Sequence, residues 1–230
     1  MAASHKFQCR GLALQAGEFL SSRLTVSCLL AVLEEVTVHC PRDTEGPVVC
    51  PPLARPPPAK EETETGPCCR VLRAACETLL DRNVTALIGK LAECKEVDSN
   101  SKMFPAGSRA WLEADLAVVQ AVLCRSSLHI NSELDLFSAL SRWATASCSR
   151  LQLPVSEENL RRVAGGCQYL VRYLTLTPDQ FRSPGGPGGS GLLTEDESDA
   201  LLLALLRPHS HPALPDHLLP LQRTMSQTRR

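Results

Sequence analysis

The stretch Leu128-His129-Ile130-Asn131-Ser132-Glu133-Leu134-Asp135-Leu136-Phe137-Ser138-Ala139-Leu140-Ser141-Arg142-Trp143-Ala144 decides the reading of this chain. Asn131 and Ser132 are residue types that cap helix N-termini, and Asp135 falls in the first turn, where the helix dipole favours a carboxylate. Leu136, Phe137, Leu140, Trp143 and Ala144 then recur at spacings of three and four, which places them on one face of a helix. That face is too broad and too apolar to be left in water, so it predicts a packed helical core.

The same period extends in both directions. Val26, Leu29, Leu30, Leu33 and Val36 form one stripe, and Val71, Leu72, Ala75, Cys76, Leu79 and Leu80 a second. Val84, Leu87, Ile88 and Leu91 repeat at helical spacing, and Leu112, Leu116, Val119 and Leu123 predict a further helix. Ser156, with Glu157 and Glu158 behind it, opens a helix running towards Leu170. Thr177-Pro178 sets an N-cap before a proline at the first helical position, and Thr194 with Glu197 makes a capping box for a last helix carrying Leu201, Leu202, Leu205 and Leu206. No run alternates in the manner of a strand. The expected fold is all-α, a stack of antiparallel helical hairpins.

Composition agrees. The 230 residues are 43% hydrophobic but only 4% aromatic, so a core of Leu, Ala and Val on helices fits better than a sheet. Lys plus Arg number 24 and Asp plus Glu 25, a formal net charge of −1, which gives no positive excess for nucleic acid. No apolar run is long enough for a membrane span, and the N-terminus leads into no signal-type apolar segment. The expected compartment is the cytoplasm, where the 11 cysteines would be thiols behaving as small hydrophobes.

Two stretches break the helical texture. Residues 41–67 are dense in proline and are expected to form a disordered loop; Pro184-Gly185-Gly186-Pro187-Gly188-Gly189-Ser190-Gly191 has the composition of a flexible linker. The glycines lack the Gly-Lys-Ser/Thr ending of a phosphate loop. The tail, 208–230, is expected to be disordered.

Reactive side chains occur only in isolation. Cys124 and His129 are five apart, but Cys124 ends an apolar stripe and His129 follows in a turn; His209, His211 and His217 have no Cys or clustered carboxylate beside them. No nucleophile, base and orienting group come together, so no catalysis, cofactor or metal is expected.

With those residues in hand, the stretch 128–144 resembles the central signature of the BACK domain: an apolar-x-apolar turn, a small polar residue and Glu, then a helix with a Phe-x-Ala-x-x-x-Trp core. Leu128, Ile130, Glu133, Phe137, Ala139 and Trp143 stand in those places. On this pattern Leu128 and Ile130 plug a gap between hairpins, Ser132 and Glu133 begin the helix, and Phe137 and Trp143 fill the core. Residues 148–181 and the Leu193-Thr194-Glu195-Asp196-Glu197 opening are similar to the end of BACK in the BTB–BACK branch whose members often carry a PHR domain. Residues 16–33 resemble the helices that join BTB to BACK, the 3-box. The resemblance implies 3-box-like helices over 1–40 and a BACK-like domain over 68–207.

It also implies a function: a non-catalytic interaction module of a cullin-3 ubiquitin-ligase substrate adaptor, with cullin-3 and a ubiquitination substrate as protein partners. Leu14, Phe19 and Leu20 would face cullin-3. The BTB and PHR domains themselves are expected to be missing, as in a truncated isoform. The alternative is therefore a scaffold that binds partners without recruiting the ligase.

Overall fold

A computed structural model describes residues 10–39, 67–89, 106–207, 214–219 and 222–229. Its helices are α1 (Arg10–Ser22), α2 (Leu29–His39), α3 (Pro67–Ile88), α4 (Ala106–Glu113), α5 (Leu116–Leu123), α6 (Glu133–Arg150), α7 (Glu157–Ala164), α8 (Pro178–Arg182), α9 (Glu195–Leu206) and α10 (Gln222–Met225). Short 3-10 turns sit at Cys167–Leu170, Tyr173–Thr175 and Pro187–Gly189. Among the described residues there is no strand, and the fold is all-α.

Helix α3 is the axis of the N-terminal half: α1, α2, α4 and α6 all pack on it. Its length corrects the sequence reading, because the stripes at 71–80 and 84–88 belong to one continuous helix. Leu72, Cys76, Leu80, Val84, Leu87 and Ile88 run down its buried side. A fully buried Leu or Ile stabilises by about 1.5–3 kcal/mol relative to exposure, so this seam dominates the energetics of the half.

The expected helix through 112–123 is instead two. The chain breaks at Ala114-Asp115, where Asp115 takes an extended conformation (φ −73, ψ 155) ahead of α5. The break has a cause. The Ala114 carbonyl, free of its helix, accepts the Trp143 indole N–H at 2.8 Å, and Trp111 on α4 returns the contact by donating to the Ala139 carbonyl at 2.9 Å. Each indole thus satisfies its one donor, Trp111 on α6 and Trp143 on the residue that follows α4. Leu116 lies on the outside, while Val118, Val119, Val122 and Leu123 are buried.

Helix α6 forms where its signals place it. Ser132 Oγ accepts the Leu134 N–H at 3.1 Å. Leu136, Phe137, Leu140, Trp143, Ala144 and Cys148 are buried. Tyr173 sits edge-on between Phe137 and Phe181, with ring centroids 6.0 and 6.2 Å away. Helix α7 packs back on α6 and stops at Gly165, whose φ of +55 favours glycine; a Cβ there would also meet Leu116 at 2.8 Å. Both expected caps of the later helices form complete capping boxes, Thr177 with Gln180 and Thr194 with Glu197.

Two expectations of disorder are corrected. The glycine-rich stretch 184–191 is a packed turn: Gly186 and Pro187 are buried, and a Cβ on Gly186 would lie 2.5 Å from the Gln180 carbonyl oxygen. Gly186 is needed there for close approach. The tail is not loose over its described residues either. Leu214, Leu218 and Met225 join the core, because three well-spaced apolar side chains find a surface already built by the helices. The proline-rich stretch 41–67 lies outside the described residues except for Pro67, which opens α3.

Candidate interaction surface

The six residues of the α6 signature are internal. Leu128, Phe137, Ala139 and Trp143 are buried, Ile130 is half-buried against the core, and Glu133 is buried by its ion pair. They build the platform, and only Ile130 among them reaches the surface. Of the residues expected to face a partner, Phe19 and Leu20 are 60% and 41% exposed near the end of α1. The Arg23 guanidinium lies 5.4 Å over the Phe19 ring, a cation–π contact that holds the ring on the surface. The Leu14 side chain lies outside the described residues. Gly17 is buried where α1 meets α3, so α1 is anchored by one face and offers the other.

Other exposed apolar side chains escaped the sequence reading. Leu151 and Val155 stand out from the α6–α7 turn and Leu203 from α9, whereas Leu206, expected on the apolar stripe of that helix, is half exposed. Periodicity misses them because it ranks an apolar residue by its neighbours along the chain, not by what covers it.

No reactive centre is assembled from the candidates. Cys124 and His129 are both exposed. His209 and His211 lie outside the described residues, and His217 pairs with Glu197. Among the described residues no group of three or more His, Cys, Asp or Glu could hold a metal, and Cys28, Cys76, Cys124, Cys148 and Cys167 carry no disulfide. A shallow depression of about 360 Å³ is lined by Phe181, Gly185, Ser190, Asp199 and Leu202, with no nucleophile–base pair in it.

Charge is instead spent on holding segments together. Arg125 binds Asp81 bidentately, with both contacts at 2.6 Å, and Glu77 at 2.9 Å, tying the loop after α5 to α3. Burial alone would raise the Asp81 carboxyl; the hydrogen bonds from Arg125 and Ser127 outweigh it and hold the pKa below the usual value. Glu197 accepts from the Tyr169 hydroxyl at 2.8 Å, the Thr194 N–H at 2.8 Å and the His217 ring at 2.5 Å. Burial opposes its ionisation, yet the Thr194, Tyr169 and His217 contacts prevail and lower its pKa. The Tyr169 hydroxyl is pushed up to about 12 by burial and by that carboxylate.

A depressed carboxyl pKa contributes stability that is complete above its unfolded value and lost as pH falls through the folded one. The melting temperature of the parent chain should therefore exceed that of Glu197→Gln at neutral pH. The gap should close as pH falls below about 4. A gap independent of pH would show that the carboxylate contributes nothing.

A second buried network involves the tail. The side chains of Glu133, 5% exposed, and Arg229, 1% exposed, pair at 2.6 Å across 96 residues of sequence. The Arg229 guanidinium also donates to the carbonyls of Leu123 (2.8 Å), Leu170 (3.2 Å) and Arg125. Arg172 donates its backbone N–H to Glu133 Oε2 at 3.2 Å and its side chain to Gln227 O at 3.0 Å and Ser126 Oγ at 2.9 Å.

This all-α platform, with an apolar patch on its first helix and no reactive centre among its described residues, has recognisable relatives. The chain is similar to BTB/POZ domain-containing proteins. Over 110 residues, 48% of its length, it is 32% identical to BTB/POZ domain-containing protein 6 of Xenopus laevis and of Homo sapiens, and to BTB/POZ domain-containing protein 3 of Homo sapiens. The matched stretch spans only 20% of each of these BTB/POZ relatives. No family model matches the chain, and no solved structure matches it. No helix among the described residues is long and apolar enough to cross a membrane.

Proposed function

We propose that the chain is a non-catalytic protein-interaction module, the BACK-like part of a cullin-3 ubiquitin-ligase substrate adaptor. The observation that carries this reading is the 32% identity to BTB/POZ domain-containing proteins over 110 residues. The BACK-like reading rests on the signature around α6, whose Phe137, Ala139 and Trp143 side by side fill the core. The mechanism is presentation: a rigid helical body holds a short apolar patch at a fixed place. Phe19 and Leu20, with Leu14 on the same helix, are the residues proposed to meet cullin-3. An exposed aromatic beside an aliphatic residue suits an anchor that fills a partner's pocket.

Calorimetry with the N-terminal helical region of cullin-3, alone and beside a supplied BTB domain, tests the proposal. Binding is expected, and Phe19→Asp should weaken it about tenfold or more, roughly 1.4 kcal/mol. Melting should hardly change, because the side chain is exposed. No heat in either arm at high micromolar concentration would remove the cullin-3 claim.

A further inference from the structure

The tail does more than cover apolar surface: its arginine fills a socket made by a distant part of the chain. The socket wall is assembled from the ends of elements. Leu123 is the last residue of α5, Arg125 lies two residues beyond it, Leu170 closes a 3-10 turn, and Glu133 is the first residue of α6. Carbonyls at the ends of helical elements lack intrahelical donors and carry the negative end of the dipole. Two such carbonyls, those of Leu123 and Leu170, converge on one point with the Arg125 carbonyl and a buried carboxylate, which makes a site that demands a cation with several donors.

Arg229 meets that demand with every nitrogen it has. Nε binds Glu133 Oε1 at 2.6 Å, Nη1 binds Leu123 O at 2.8 Å and Arg125 O, and Nη2 binds Leu170 O at 3.2 Å and Glu133 Oε2 at 3.4 Å. A lysine ammonium has three donors on one atom and cannot span acceptors placed around a planar fork. Four residues earlier Met225 is buried, and between them the Gln227 carbonyl accepts from Arg172 Nη1. The recognition elements are thus a thioether side chain, one backbone carbonyl and a guanidinium, spread over five residues.

We propose that this socket is a peptide-binding site that reads an unmethylated arginine four residues after a methionine or similar apolar side chain, and that residues 225–229 occupy it in cis as a latch. A partner bearing the same pattern binds by displacing the tail. Local concentration favours the tail, so the site is closed until the tail is released or outcompeted. The inference does not depend on cullin-3.

A fluorescein-labelled, C-terminally amidated peptide of residues 222–229 tests it by polarisation against two full-length chains, the parent and Met225→Ala/Arg229→Ala. The peptide should saturate the double variant and bind the parent at least about tenfold more weakly, because the parent's own tail competes. The peptide with lysine, or with dimethylarginine, at position 229 should bind the double variant about tenfold more weakly or worse. Should the double variant fail to fold, amide exchange in the parent gives the answer: excess arginine peptide should speed exchange over 222–229 and the lysine peptide should not. Equal binding of the arginine and lysine peptides overturns the proposal. So does an arginine peptide that neither binds the folded double variant nor changes exchange in the parent.

Discussion

Trp143→Ala should lower the stability of the chain by about 3–5 kcal/mol in denaturant unfolding. The side chain is 2% exposed and lies where α6 faces the α4–α5 break. Removing it leaves a large void that close-packed neighbours fill only in part. It also strips the Ala114 carbonyl of its donor at the point where the helix is interrupted. Trp143→Phe separates the two effects. It keeps most of the ring volume and loses the hydrogen bond, so it should cost about 1–2 kcal/mol. If the alanine variant unfolded with the parent, the seam between α4 and α6 would not be part of the cooperative core.

The second large effect is expected from Glu133→Ala. The variant leaves the Arg229 guanidinium without its carboxylate and the Arg172 backbone N–H without its acceptor, and breaking a buried ion pair from one side costs about 3–5 kcal/mol. The two arginines can respond differently. Arg172 lies within the helical body, whereas Arg229 is on the tail and can escape into water. The loss should therefore show first as faster amide exchange over 214–229, with the rest of the domain protected to a higher denaturant concentration. Adding Arg229→Ala to Glu133→Ala should cost little more, since the pair is already broken. Fully additive penalties would mean that the two side chains do not act as a unit.

What could be read from the chain followed the range of the interaction. The α6 face, its Ser132 cap and the capping boxes at Thr177 and Thr194 are set by residues within one or two turns, and the local pattern carries them completely. The break at Ala114-Asp115 is different. Leu112, Leu116, Val119 and Leu123 keep helical spacing, yet an indole 29 residues away takes the carbonyl that a continuous helix would have used. The Glu133–Arg229 pair spans 96 residues and leaves no trace in spacing. The tail and the glycine-rich turn were masked by composition. Proline, histidine and glycine describe how an isolated chain behaves, whereas Leu214, Leu218 and Met225 dock on a surface that exists only once the helices have assembled. The exposed Phe19 shows the opposite limit, because a patch is recognised by what fails to cover it.

The chain has two tryptophans, and they sit on either side of the same seam, Trp111 bonded to the backbone of α6 and Trp143 to the carbonyl just after α4. Indole fluorescence is thereby a single-site gauge. It should report the parting of α4 from α6 as a red shift, and stay silent while the last fifteen or so residues peel away. A titration followed by emission alone would miss the unlatched state, and comparing it with amide exchange over 222–229 would expose that state as protection lost before the emission shifts.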